Sequence, residues 1–214
     1  MTFLEFINQL EIKLQDPLPG IEAQKKMLPL MEQADRFDQL AMDKAKPGAV
    51  LILFYPETSR IYFPLIERPV YEGAHSGQIA LPGGKYDPDD PDYQATALRE
   101  AEEEIGINAA EVKILGLLTQ LFIPVSNFLI YPYIGYLKEK PIMKPEPREV
   151  ARIIPTEVNE IFDPGNYKQR IIKVRSQRLQ APYFDYHGHV VWGATAMILA
   201  ELYEVVKDLL GSGN

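Results

Sequence analysis

Three glutamates on one face of a short helix, next to a glycine pair, constrain this chain more than any other feature. Between Gly83 and Ile107 the sequence reads GGKYDPDDPDYQATALREAEEEIGI. Set out at 100° per residue from Thr96, Glu103, Glu100 and Glu104 fall at about −20°, 40° and 80°, whereas Ala101, Ile105 and Leu98 fall at about 140° to 200°. Glu102, at about 240°, lies outside the acidic arc. Carboxylates three and four apart on a helix repel one another, and their hard oxygens suit a divalent cation such as Mg²⁺. For an acid-rich helix standing alone, a solvated face backed by an apolar one is the plain alternative.

The residues around the helix weigh against that alternative. Gly84, Arg99, Glu100, Glu103, Glu104, Gly106 and Ile107 fall in one register that resembles the Nudix box, GX5EX7REUXEEXGU with U aliphatic. Asp90 stands in place of the middle glutamate, and eight residues rather than seven separate it from Arg99. In Nudix proteins that acid mainly helps to hold the arginine, so the departure bears on the brace more than on the metal ligands. The resemblance implies an α/β/α sandwich with a mixed β-sheet, and hydrolysis of a nucleoside diphosphate linkage with Mg²⁺ or Mn²⁺. It implies Glu100 and Glu104 as metal ligands and Glu103 as a third. A main-chain oxygen of Gly83 or Gly84 is a further candidate donor, since glycine lets backbone approach an ion closely. Arg99 is expected to orient a glutamate rather than touch substrate. The general base is expected at Glu149, in the segment KPEPREV, with Glu100 the other candidate.

The segment before the box resembles LLTxR(S/A)x3Rx3Gx3FPGG, the upstream pattern of Nudix enzymes that cleave coenzyme A. Leu65, Arg68, Gly77 and Pro82-Gly83-Gly84 are in register, Leu81 replaces the phenylalanine, Ile66 and Pro69 replace two small positions, and Gly73 stands where a second arginine belongs. Trp192-Gly193-Ala194-Thr195-Ala196 looks like the closing segment of the same branch. The implied reaction converts coenzyme A or acyl-coenzyme A to 3′,5′-ADP and 4′-phosphopantetheine or its acylated form. Arg68, Gly83, Gly84 and Lys85 are the expected substrate contacts. His75 or Lys85 is the candidate replacement for the missing arginine, and Phe122, Phe128, Tyr131 and Tyr133 are candidates for an apolar wall. A Nudix hydrolase of ADP-ribose, a dinucleotide or a nucleoside triphosphate is the nearest alternative; a Nudix-fold regulator that binds ligand without catalysis is the second.

Composition sets outer bounds. A chain of 214 residues supports one well-buried domain, read as a helical extension at residues 1–45, packed on the domain or on a partner chain, and a hydrolase domain at 46–214. Cysteine is absent, which excludes disulfides, thiolate metal sites and a thiol nucleophile. A net charge of −8 argues against general nucleic-acid binding, because phosphate backbones are held through Lys and Arg. Neither a signal peptide nor a membrane span is expected, which with the missing cysteines points to the cytoplasm, and a homodimer is expected from the family habit of pairing.

Periodicity places helices at Phe3 to Leu14 and Ile21 to Met31, and a hairpin at Val50 to Tyr55 and Arg60 to Leu65. A short strand is expected at Gln78 to Leu81, then a loop at Asp87 to Asp92, with Asp92 capping a helix from Tyr93 to Ile105 that Gly106 stops. Strands are expected at Val112 to Leu118 and Ile130 to Leu137 around a loop, then a helix at Pro155 to Phe162. Arg170 to Val174, Tyr183 to Tyr186 and His189 to Trp192 read as strands, with a turn at His187-Gly188. Gly193 to Leu210 reads as an amphipathic closing helix.

Overall fold

A computed structural model of the chain describes residues 1–29, 39–70, 76–174 and 177–211. Helices α1 (Phe3–Lys13), α2 (Gly20–Gln24) and α3 (Gln39–Met42) precede a hairpin of β1 (Lys46–Glu57) and β2 (Arg60–Glu67). Short strands β3 (Ile79–Ala80) and β4 (Gly83–Lys85) lead into α4 (Tyr93–Ile105). Next come β5 (Lys113–Leu117), β6 (Leu121–Ile123), β7 (Phe128–Tyr136), β8 (Arg152–Glu157) and α5 (Val158–Ile161). The chain then forms a meander of β9 (Tyr167–Val174), β10 (Gln177–Tyr186) and β11 (His189–Trp192), followed by α6 (Gly193–Val206).

The apolar run of β1 makes it the central strand, because a strand buried on both faces needs apolar residues at every position. Ala49, Leu51, Leu53 and Tyr55 pack toward α4 with Ala97, Ala101 and Ile105, whereas Ile52 and Phe54 join the opposite core with α1 and α6. β1 runs parallel to β7, from Lys46 opposite Phe128 to Phe54 opposite Tyr136, and antiparallel to β2 and β4. The sheet order is β3-β2-β1-β7-β5, with β4 on β1, β6 on β7 and β8 on β2; the meander forms a second, three-stranded sheet. Helices cover both faces of the mixed sheet, giving an α/β/α sandwich.

The helices at the start of the chain contribute to that opposite core. Phe6, Ile7, Leu10, Met27 and Leu28 are buried beside Phe54, Ile198 and Leu202, and the Phe6 and Phe54 rings meet edge to face at 5.3 Å. The carboxylate of Glu201, on α6, is fully buried. It accepts from Gly20 N at 3.1 Å, Thr119 N at 3.2 Å and Gln24 Nε2 at 2.9 Å, tying three distant segments together.

Several elements differ from the sequence expectations. The second helix breaks into α2 and a 3-10 turn at Lys25–Met27, and the rest of its expected span, from residue 30, lies outside the described residues. The loop expected between two strands contains β6, which returns on β7 through a tight turn where Asn127 has φ 55°. Pro155 is not helical but sits in β8 opposite Pro64 of β2, where neither proline need donate to the ladder. The helix starts only at Val158, because the Glu157 side chain accepts from the amides of Asn159 and Glu160. α6 ends at Val206 rather than Leu210, in turns closed onto the carbonyls of Tyr203 and Val206. Among the described residues, no helix is long and apolar enough to cross a membrane.

Glu201→Ala removes the acceptor of one N–H of the buried Gln24 amide and of the part-buried Gly20 and Thr119 N–H groups, losses of up to roughly 1–3 kcal/mol each. Allowing for partial relaxation, urea denaturation should show a loss of about 3 kcal/mol; a change below about 1 kcal/mol would show that the network does not hold the segments.

Candidate active site

The acidic helix begins and ends by local chemistry. The Asp92 side chain accepts from Ala95 N at 2.7 Å at the start, and Gly106 closes the end in the left-handed region at φ 71°. Its small apolar residues, Ala97 and Ala101, let it lie close on β1. That packing carries the acidic face against β4, where the glycine pair leaves room. A Cβ on Gly84 would stand 2.3 Å from Glu100 Oε2, and one on Gly83, which has φ 148°, would meet the Ala49 carbonyl at 2.3 Å. Gly83 N donates to Glu104 Oε2 at 2.7 Å.

Glu100, Glu104 and Glu149 form one group, with an oxygen from each within 4.8 Å of the others. Glu104 is almost wholly buried at 1% exposure. Burial pushes its carboxyl up to about 7, against the opposing pull of Arg68 and the Gly83 amide, with Glu100 and Glu149 raising it further. Burial likewise raises Glu100, opposed by Arg99. Glu103, expected from the sequence as a third ligand, is more than half exposed and pairs with Arg99 Nη1 at 3.2 Å. The third carboxylate in the group is therefore that of Glu149. Its loop is strapped to the end of α4: Lys144 N donates to the Ile105 carbonyl at 2.8 Å and Glu146 N to the Glu104 carbonyl at 3.0 Å. No sequence signal in KPEPREV announces those bonds.

Arg99 is a brace. Its Nε and Nη2 each lie 3.0 Å from Asp90 oxygens, Nη1 donates to Glu100 Oε1 at 2.9 Å, and Nη2 also reaches the Lys85 carbonyl at 3.3 Å. Asp90 thus holds the arginine despite the extra residue of spacing, helped by the Thr96 hydroxyl at 2.8 Å and Asp87 N at 3.2 Å. Hydrogen bonds from Arg99, reinforced by these, hold the Asp90 carboxyl down at about 2 against the effect of burial. Arg68 places Nη2 3.3 Å from the Gly83 carbonyl and 3.7 Å from Glu104 Oε1. Lys85 is exposed, and Gly73 and His75 lie outside the described residues.

Two of the four aromatic candidates sit at the other end of α4. Tyr131 stacks on Tyr93 at 4.1 Å at the start of α4, with Tyr133 near Asp92, whereas Glu100 and Glu104 occupy the other half of that helix. Phe122 is buried. A cavity of about 360 Å³ opens on the far side of the β2–β3 edge, lined by Glu67, Ser76 to Ile79, Arg170, His189 and Trp192 among others. Glu67 shares a face with its register partner Ile79, toward α6, while the next residue, Arg68, turns to the carboxylates.

The NUDIX domain family model matches residues 45–174, which include every member of the carboxylate group. The chain belongs to the Nudix family. It is 36% identical over 134 residues to an uncharacterized Nudix hydrolase, NudL, of Photorhabdus laumondii, covering 63% of this chain and 71% of that one. A NudL of Yersinia pestis is 29% identical over 95% of this chain and 94% of its own length. A Nudix hydrolase from M. smegmatis, RenU, has a similar fold, with a TM-score of 0.53 at 16% identity over 79% of this chain and 90% of that one. The protein is thus a Nudix hydrolase acting on a diphosphate linkage.

Nudix hydrolases generally use divalent metals such as Mg²⁺ or Mn²⁺, and the donor set here fits one. Converging carboxylates, one of them buried and held near neutral, are stable as anions only when a cation compensates them. Hard oxygens alone, without imidazole or thiolate, suit Mg²⁺ or Mn²⁺.

Two outcomes follow from this geometry. Gly84→Ala displaces the Glu100 carboxylate, the mobile end of a side chain, so Mn²⁺ affinity by calorimetry should fall about 10–100-fold while the thermal midpoint shifts by only about 2 °C. Unchanged Mn²⁺ binding would show that Glu100 does not depend on the glycine. Because the folded pKa of Asp90 is depressed from 3.8 to about 2, its stabilisation is complete above the unfolded value and lost as pH falls through the folded one. With Arg99 partly exposed, so that solvent screens the pair, urea titrations should show Asp90→Asn less stable by about 1–2 kcal/mol near neutral pH. The gap should close as the pH falls from about 4 to about 2, and a gap independent of pH would contradict the assignment.

Proposed function

We propose that this Nudix hydrolase cleaves the diphosphate of coenzyme A or acyl-coenzyme A, releasing 3′,5′-ADP and 4′-phosphopantetheine or its acylated form. The observation that carries the reading is the cavity beside β3. It brings Glu67 and Ser76 to Ile79, from the upstream coenzyme A-type segment, together with Trp192 from the closing segment, more than 100 residues away. Arg170 lines the same cavity, with its guanidinium 5.8 Å from the Tyr183 ring centroid. Arg170 offers a cation for the 3′-phosphate, where Gly73 stands in place of the expected arginine, to a substrate that crosses the β2–β3 edge from the carboxylates to the cavity, and a guanidinium fork suits phosphate oxygens.

In this reading Glu100, Glu104 and Glu149 hold Mg²⁺ or Mn²⁺, with the Gly83 carbonyl as a further donor. The ion supplies positive charge to the diphosphate oxygens and acidifies water. Glu149, the exposed member of the group, accepts the proton of the attacking water. Arg99 and Asp90 keep Glu100 in place, and Arg68 meets the diphosphate. Glu103, at the exposed flank, is available to a second ion. Hydrolysis of ADP-ribose or another nucleotide by the same carboxylates is the competing reading, favoured by the missing arginine at Gly73.

Purified protein should be given coenzyme A, dephospho-coenzyme A and ADP-ribose separately with Mg²⁺ or Mn²⁺, and products identified by mass. Coenzyme A should be preferred over its dephospho form by about tenfold or more in kcat/KM, a difference of about 1.4 kcal/mol. Glu104→Gln should lose activity by about 100-fold or more while remaining folded. Equal turnover of the two coenzyme A forms would remove the 3′-phosphate contact, and turnover of ADP-ribose alone would replace the substrate.

A further inference from the structure

The guanidinium of Arg68 stands among oxygens that belong to the cation site. Its Nη2 lies 3.3 Å from the Gly83 carbonyl and 3.7 Å from Glu104 Oε1, two of the donors assigned above to the divalent ion. We propose that Arg68 is a stand-in cation: it compensates Glu104 while no divalent ion is bound, and it is displaced onto the diphosphate when the ion arrives. This rests on the metal-dependent reading of the carboxylate group.

Burial creates the need for such a group. Glu104 is 1% exposed and shares its surroundings with Glu100 and Glu149. A carboxylate in that position needs a positive neighbour or must take up a proton. Arg99 is committed elsewhere, spread over Asp90, Glu100, Glu103 and the Lys85 carbonyl. Arg68 is the nearby cation whose hold is slight. At 3.7 Å its contact with Glu104 is an ion pair outside hydrogen-bond distance, and among the described residues its one side-chain hydrogen bond, to the Gly83 carbonyl at 3.3 Å, is long.

Its backbone is fixed while its side chain can swing. Arg68 N donates to the Gln78 carbonyl at 3.0 Å, just beyond the end of β2, and the side chain is 28% exposed. A divalent ion held by Glu104 and Gly83 oxygens would face the guanidinium as a like charge at close range, where repulsion is strong. Released from those oxygens, the planar fork has its donors free for a phosphate, which it can grip in a bidentate manner. Ion binding and diphosphate binding are then coupled, each favouring the other through the same side chain.

The test measures binding, not turnover. Mn²⁺ affinity is read by calorimetry, and affinity for α,β-methylene-ADP, whose diphosphate cannot be hydrolysed at the bridge, is read with and without Mn²⁺. Wild type, Arg68→Gln and Arg68→Lys are compared, with circular dichroism confirming that each is folded. Arg68→Gln should bind Mn²⁺ about 3–10-fold more tightly, because the competing cation is gone. It should bind the analogue about tenfold more weakly with Mn²⁺ present, yet within about twofold of wild type without it. Arg68→Lys, which keeps the charge and loses the fork, should restore near-wild-type Mn²⁺ affinity but not analogue affinity. Mn²⁺ binding by Arg68→Gln no tighter than wild type, or an equal loss of analogue affinity with and without the ion, would overturn the inference alone. A wild-type protein that takes up no Mn²⁺ would overturn the metal reading on which it rests.

Discussion

The hydrogen bond from Gly83 N to the Glu104 carboxylate, 2.7 Å long and buried, sets how closely α4 approaches β4, and the site depends on that separation. Ala97 and Ala101 allow the helix to settle on β1, and the absence of a side chain at Gly84 lets Glu100 lie directly over the strand. The helix therefore cannot relax away from its own charge. Packing on one face compels carboxylates on the other face to crowd, and the apolar core bears the electrostatic cost of that crowding.

Two arginines answer this charge differently. Arg99 is locked by a fork onto Asp90 and by bonds to Glu100 and the Lys85 carbonyl, so its role is to fix geometry. Arg68 is loosely held at the mouth of the group, so its role can change with what else is bound. Such a division separates the rigid support that aligns ligands from the mobile charge that meets substrate, and a preorganised site needs both.

The limits of α4 are legible in the sequence because capping is local: Asp92 and Gly106 act within a few residues of the ends they define. The central strand is legible because burial on both faces forces an unbroken apolar run. β8 is not, since its pairing partner β2 lies some 90 residues earlier and only that ladder makes Pro155 extended. The Asp90 brace shows the opposite failure of counting: a turn closed by Asp87 absorbs the extra residue, so spacing alone understates what the carboxylate can reach. Alternation assigns Tyr131 and Tyr133 to a face of β7 but not to an end of α4, and that end separates them from the carboxylates. Glu149 could be named from the family resemblance; the backbone bonds that bring its loop to α4 have no residue code.

The opposite core has a consequence in time. Its members come from the first helices, from β1 and from α6, while the carboxylate group is complete in sequence by Glu149. During synthesis, the hydrolytic residues thus leave the ribosome well before α6, the helix that covers the far side of their sheet. The early chain waits with that sheet face covered only in part, by the first helices, until the last helix docks and completes the core.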